Sequence, residues 1–154
     1  MLNSGSSNCV SMIDGLKILN WNVRGLNEAA RRETVLQLVK DNQPLLVCFQ
    51  ETKLQNITSQ LAREIVGNLD FQFAPANGTC GGILLAWNPD LVIASNLLIR
   101  EFSLLMNNTM RMTNVSFLIS VVYGPTEDAD KGRFMEELKS MKPSDETAWT
   151  PGYV

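Results

Sequence analysis

One stretch, Leu45–Lys53 (Leu-Leu-Val-Cys-Phe-Gln-Glu-Thr-Lys), limits most strongly what this chain can fold into. Leu45 to Phe49 are apolar without a polar interruption. A short run of that kind reads as a strand buried on both faces, and such a strand implies a sheet covered on both sides. In such sheets ligands collect at the carboxyl ends of the strands. The sequence turns abruptly polar at Gln50-Glu51-Thr52-Lys53, which sets Glu51 at such an end. A carboxylate in that position is a hard-metal ligand, a base, or one half of a local ion pair with Lys53.

The neighbouring pattern is consistent with a strand, a helix and a second strand. Lys17–Val23 alternates with period two and predicts a strand, with Leu19, Trp21 and Val23 on one face and Ile18, Asn20 and Asn22 on the other. Gly25 supplies a turn, Asn27 suits an N-cap, and Val35, Leu38 and Val39 stripe a helix that Pro44 ends. A second helix is expected over Ile57–Val66, closed by Gly67. Short strands follow at Phe71–Ala74, Gly82–Trp87, Leu91–Ser95, Ile99–Leu105, Met110–Val115 and Phe117–Tyr123. Asn77-Gly78, Asn88-Pro89-Asp90 and Asn107-Asn108 are read as turns between them, and short connections imply antiparallel pairing. A last helix is expected over Glu127–Met141, with Phe134, Leu138 and Met141 inward. The class is α+β, or mixed α/β.

Composition excludes several chemistries. The 154 residues, 45% hydrophobic, suffice for one domain with a core. There is no histidine, so histidine acid/base catalysis, Ser-His or Cys-His nucleophiles and histidine-ligated metals are impossible within this chain. Cys9, Cys48 and Cys80 are too scattered for a zinc site or a disulfide framework, and Cys48 reads as core. A net charge of −3 argues against coating nucleic acid by bulk charge, though not against a local patch at Arg24, Arg31 and Arg32. No run approaches a membrane span, and the Ser- and Asn-rich start lacks the parts of a signal peptide, which predicts an intracellular, soluble chain.

Four segments carry a resemblance: Trp21-Asn22-Val23-Arg24-Gly25, Gln50-Glu51-Thr52-Lys53, Gly81-Gly82-Ile83-Leu84-Leu85 and Val122-Tyr123-Gly124-Pro125. In this order they resemble the endonuclease/exonuclease/phosphatase family. The wording from Ile18 to Asn27, with Val122–Pro125, is similar to the endonuclease segment of plant non-LTR (LINE-type) retrotransposon polyproteins. The resemblance implies a layered α-β-β-α sandwich and metal-assisted phosphodiester hydrolysis on DNA with Mg²⁺ or Mn²⁺. It implies Glu51 as the metal carboxylate, and Asn22 in the same site through the metal's water shell or a phosphate oxygen. It further implies Tyr123 as a hydrogen-bond donor to the scissile phosphate, Arg24 beside the phosphates, and Gly82 in a turn that lets backbone approach closely. Lys53 is placed to orient a neighbouring carboxylate.

The family's later motifs do not occur: there is no Gly-Asp-Phe-Asn segment and no Ser-Asp-His segment. The reading is therefore a leader over 1–15 without structure, a partial domain over 16–149 where the family uses about 220–250 residues, and a tail over 150–154 outside the family pattern. A domain cut there is expected to expose a strand edge and to self-associate through it. Near-background hydrolysis follows from the missing groups. The alternative function is a non-catalytic module that binds nucleic acid or protein.

Overall fold

The computed structural model describes residues 8–13, 15–76, 81–122, 127–141 and 148–153, the first and last of these by backbone alone. The chain divides into two compact units, Met1–Asp90 and Leu91–Val154. Among the described residues they hold two sheets and three α-helices, the mixed α/β class expected.

The first unit is built around the apolar stretch. β2 (Leu16–Asn22), α1 (Ala29–Asn42) and β3 (Leu46–Gln50) form the expected strand–helix–strand unit, with β2 and β3 parallel. α2 (Ser59–Val66), β4 (Asp70–Ala74) and β5 (Ile83–Trp87) complete it, in the sheet order β1-β2-β3-β5-β4. β3 is central, and every residue in it is buried, as the unbroken apolar run requires. Alternation assigns the faces. Leu19, Trp21, Val23, Val47, Phe49, Leu84 and Ala86 pack with Val35 and Val39 of α1 and with Ala62, Ile65 and Val66 of α2. Trp21 and Phe49 meet edge to face, centroids 6.2 Å apart and planes at 77°.

Capping differs in detail. Glu28, not Asn27, is the N-cap of α1, and its side chain makes no capping bond; the Asn27 amide instead donates to the Lys53 carbonyl at 3.4 Å. α2 is capped by Thr58, whose hydroxyl accepts from Leu61 N–H at 3.1 Å, and closes at Gly67. Cys48 is buried, and desolvation pushes its thiol far above the ordinary range, which keeps it neutral and unreactive.

The leader expectation is corrected over Asn8–Ile13. These residues form β1, antiparallel to β2 from Asn8↔Trp21 to Ile13↔Leu16. Gly15, at φ 80°, makes the tight return that a side chain would strain. Asn8–Ile13 carries Cys9, Val10, Met12 and Ile13, and the strand pairs along the edge of β2 away from β3.

The second unit carries β6 (Val92–Ile99), β7 (Ser103–Met110), β8 (Ser116–Val122), α3 (Lys131–Met141) and β9 (Ala148–Tyr153), in the sheet order β6-β7-β8-β9. Two expected strands are corrected. Ile99–Leu105 is interrupted at residues 100–102, and Met110–Val115 is the hairpin between β7 and β8, with Asn114 at φ 58°. Asn107-Asn108 is not a turn but lies within β7, where Asn108 is 1% exposed and donates to the Met106 carbonyl at 2.9 Å. Burial of Leu104, Met106, Asn108 and Met110 on one face overrode the local turn preference of asparagine. The Asn88-Pro89-Asp90 turn is present, with Asp90 N–H donating to Asn88 Oδ1 at 3.0 Å. Asn77-Gly78 lies outside the described residues.

The last expected helix begins as a 3₁₀ turn, Asp128–Asp130, before α3. Glu137 of α3 accepts from Phe102 N–H at 3.2 Å and from the Ser103 hydroxyl, and Phe134 meets Phe102 edge to face at 5.6 Å. Ala148–Tyr153 is strand β9, parallel to β8, with Pro151 on an edge strand where proline is tolerated.

Candidate metal and phosphate site

Register decides which sequence-selected residues meet. Asn22 is the last residue of β2 and pairs with Gln50, the last of β3. Both strands run the same way, so Asn22 and Glu51 emerge at the same rim of the sheet, from neighbouring strands. The loops beyond stay zipped together. Val23 N–H donates to the Gln50 carbonyl at 3.0 Å, Gly25 to Glu51 at 2.7 Å and Leu26 to Thr52 at 2.9 Å. On the other side Thr52 N–H donates to Gly82 at 3.2 Å and Lys53 to Gly81 at 2.6 Å. Three segments far apart in sequence thus share one backbone lattice.

That lattice holds unusual backbone. Arg24, Glu51 and Lys53 adopt φ of 52°, 59° and 59°, the left-handed region that side chains disfavour. Each such residue costs about 1–3 kcal/mol and persists only where surrounding bonds over-determine it; such outliers cluster at functional sites. The five cross-loop hydrogen bonds supply that determination here.

The side chains are crowded against glycine. A Cβ at Gly81 would lie 2.9 Å from Glu51 Oε1, so only glycine leaves this carboxylate its place. A Cβ at Gly82, already at φ 76°, would meet the Thr52 hydroxyl at 2.5 Å and Ala76 N at 3.1 Å. Thr52 is fully buried, so it has no room to yield. Gly82→Ala is therefore expected to destabilise the protein by about 1–3 kcal/mol, read as a lowered urea midpoint at unchanged m-value. A midpoint equal to that of the parent would contradict this packing.

The Glu51 carboxylate pairs with Lys53, Oε2 to Nζ 2.6 Å, with both side chains about a third exposed (32% and 39%). The carboxylate that Lys53 meets is thus Glu51, two residues before it, and the ammonium occupies one of its oxygens. Asn22 Oδ1 accepts from Arg24 N–H at 3.1 Å, which turns the chain sharply out of β2. Arg24, Gly25, Asn27, Glu28, Arg31 and Lys53 line an open cavity of about 260 Å³ beside this rim, with three cations against one carboxylate. Arg32 does not join them. Its guanidinium donates to the carbonyls of Leu26 (2.9 Å) and Asn27 (2.7 Å) and to Glu64 at 3.0 Å, which ties the loop after β2 to α2. Sequence reading set Arg32 with Arg24 and Arg31; its spacing from the loop carbonyls is visible only in three dimensions. Tyr123 lies outside the described residues.

A profile of the endonuclease/exonuclease/phosphatase family matches residues 19–139. The chain belongs to the endonuclease/exonuclease/phosphatase family. Its fold is similar to the human Nocturnin catalytic domain with bound sulfate (TM-score 0.68, 13% identity, covering 95% of this chain and 66% of that one). It is likewise similar to the mannosyl-6-phosphatase of Bacteroides thetaiotaomicron (0.66, 11%, 88% and 63%). A third is D. rerio TDP2 complexed with single strand DNA product (0.63, 16%, 88% and 59%). The chain spans less than two thirds of the length of these structures. No curated protein matches it by sequence.

Members of the endonuclease/exonuclease/phosphatase family are generally metal-dependent. Among the described residues no three His, Cys, Asp or Glu side chains gather. A divalent cation that keeps most of its waters needs less, since Mg²⁺ is commonly held by one or two carboxylates. The donors present fit that minimum: Glu51 supplies hard oxygen in a glycine cradle, and Asn22 Oδ1 retains a second lone pair beyond the one given to Arg24. Glu51 would hold the ion, and Asn22 would bind it or one of its waters. Among the described residues no helix is long and apolar enough to cross a membrane.

Proposed function

We propose that this chain carries the metal-carboxylate part of a Mg²⁺- or Mn²⁺-dependent phosphodiesterase site acting on DNA. The observation that carries the reading is the emergence of Asn22 and Glu51 at one rim from neighbouring parallel strands. The bound cation would polarise the phosphoryl oxygen and stabilise charge on the leaving group. Glu51 holds it, Asn22 orients its water shell or a phosphate oxygen, and Arg24 meets the flanking phosphate. Tyr123 donates to the scissile phosphate. The preference for DNA, and descent from a LINE-type retrotransposon endonuclease, rest on the wording Ile18–Asn27 and Val122–Pro125.

A second reading has an observation of its own. With no histidine, the chain has no imidazole to move the proton of the attacking water. Loss of one acid/base group lowers rates by about 10²–10⁴. The chain by itself is thus expected to bind DNA without efficient turnover. Supercoiled plasmid incubated with Mg²⁺ should be retained in a salt-dependent manner and cleaved near background. Robust cleavage that Glu51→Gln abolishes would overturn the binding-only reading. Absence of both retention and Mg²⁺ binding would sink the phosphodiesterase reading itself.

A further inference from the structure

On the sheet of the first unit, Asn20 stands opposite Cys48 and Asn22 opposite Gln50. Asn20, Asn22 and Gln50 therefore share one face, the one turned away from α1 and α2. Their surroundings on it are apolar: Ile18, Leu46, Cys48 and Leu85 are all buried. Gln50 is 3% exposed, yet its Nε2 has no hydrogen-bond partner, and Asn20 Oδ1 is likewise buried without one. A buried donor that has lost water and gained nothing is costly, so each such group calls for an explanation. Gln50 has the position to supply one, since it is the register partner of Asn22 and the residue before Glu51.

We propose that Gln50 is a ligand-contacting residue of the site described above, its Nε2 donating to a non-bridging oxygen of the phosphodiester that Asn22 and Glu51 engage. The inference rests on the phosphodiesterase reading. A neutral donor suits this place better than a cation. A buried ammonium or guanidinium beside Glu51 would compete with the metal for the carboxylate, as Lys53 already does from the solvent side. An amide supplies two N–H groups with no net charge. The unpaired state is then the ligand-free state, and phosphate completes it.

The test uses the full 154-residue chain. Gln50→Met keeps the length of the side chain and removes the donor; Gln50→Glu keeps the shape and sets a carboxylate against the phosphate. Affinity is read by fluorescence anisotropy with a labelled phosphorothioate oligodeoxynucleotide at fixed Mg²⁺, well below the melting temperature, and stability by thermal melting. Gln50→Met is expected to melt no lower than the parent and to bind roughly tenfold more weakly; Gln50→Glu should lose more. Affinity unchanged in both variants overturns the proposal. So does a melt lowered by several degrees in Gln50→Met, because the amide would then be satisfied inside the protein by a water shared with Asn20. Glu51→Gln, titrated with Mg²⁺ alone, separates the two levels. If it leaves Mg²⁺ binding intact, the phosphodiesterase reading fails and takes this proposal with it. If it removes Mg²⁺ binding while Gln50→Met changes nothing, the proposal alone fails.

Discussion

Glu51→Gln is expected to lower Mg²⁺ affinity by more than about a hundredfold, while Lys53→Met raises it. Losing a group that merely orients a metal ligand already costs about 10–100-fold, so losing the carboxylate itself should cost more. Among the described residues no three acidic, cysteine or histidine side chains come together to hold the ion in its place. The opposite sign for Lys53 follows from its contact with Glu51 at 2.6 Å. An ammonium on the carboxylate must yield before a cation can take the same oxygens. Both partners are about a third exposed, so solvent screens the pair and its net worth is about 0.2–1 kcal/mol. Removing that competitor should therefore strengthen Mg²⁺ binding no more than about fivefold. Isothermal titration of the two variants checks both signs. Weaker binding in Lys53→Met would mean that the lysine supports the cation site rather than competing for it.

The parts of this site that sequence made legible are those encoded by local pattern. The unbroken run Leu45–Phe49 reads as a strand covered on both faces, and β3 is central and wholly buried. Alternation in Lys17–Val23 fixed which residues of β2 face the helices, and with it the position of Asn22 at the strand end. What escaped was non-local. No local pattern reports that Glu51 takes a left-handed backbone or that Gly81 and Gly82 close over it, because both depend on hydrogen bonds between segments about thirty residues apart. Gln50 passed as the polar end of a strand, since only register shows it paired with Asn22 on a buried face. In the second unit the reading failed where two rules competed. Asn107-Asn108 has the chemistry of a turn but stands in an alternating series whose burial contributed more. β1 was missed because the Ser- and Asn-rich residues before it coloured the reading of the whole start, while Asn8–Ile13 pairs along the edge of β2.

Phe49→Ala tests whether the same strand that presents Glu51 is also what holds the first unit together. Phe49 is fully buried in the central strand and packs edge to face on Trp21, within the cluster that α1 and α2 cover. Truncating a ring in such a place removes its transfer free energy and leaves a cavity that the helices cannot close, about 3–5 kcal/mol in comparable cores. Against a total stability of about 5–15 kcal/mol for a natural domain, that leaves the unit marginal or unfolded. Phe71, half-buried on edge strand β4 and stacked on Phe73 at 6.4 Å, is the control, and Phe71→Ala should cost nearer 1 kcal/mol. Urea unfolding followed by tryptophan fluorescence reads the difference, since Trp21 lies against Phe49. Cation binding should fall with the folded fraction in Phe49→Ala and stay close to that of the parent in Phe71→Ala. The strained backbone at Glu51 is maintained by bonds to the loops after β2 and before β5, and those loops keep their positions only while β3 keeps its place between the two strands. Equal midpoints for the two variants would mean that the buried run is not the element on which the site depends.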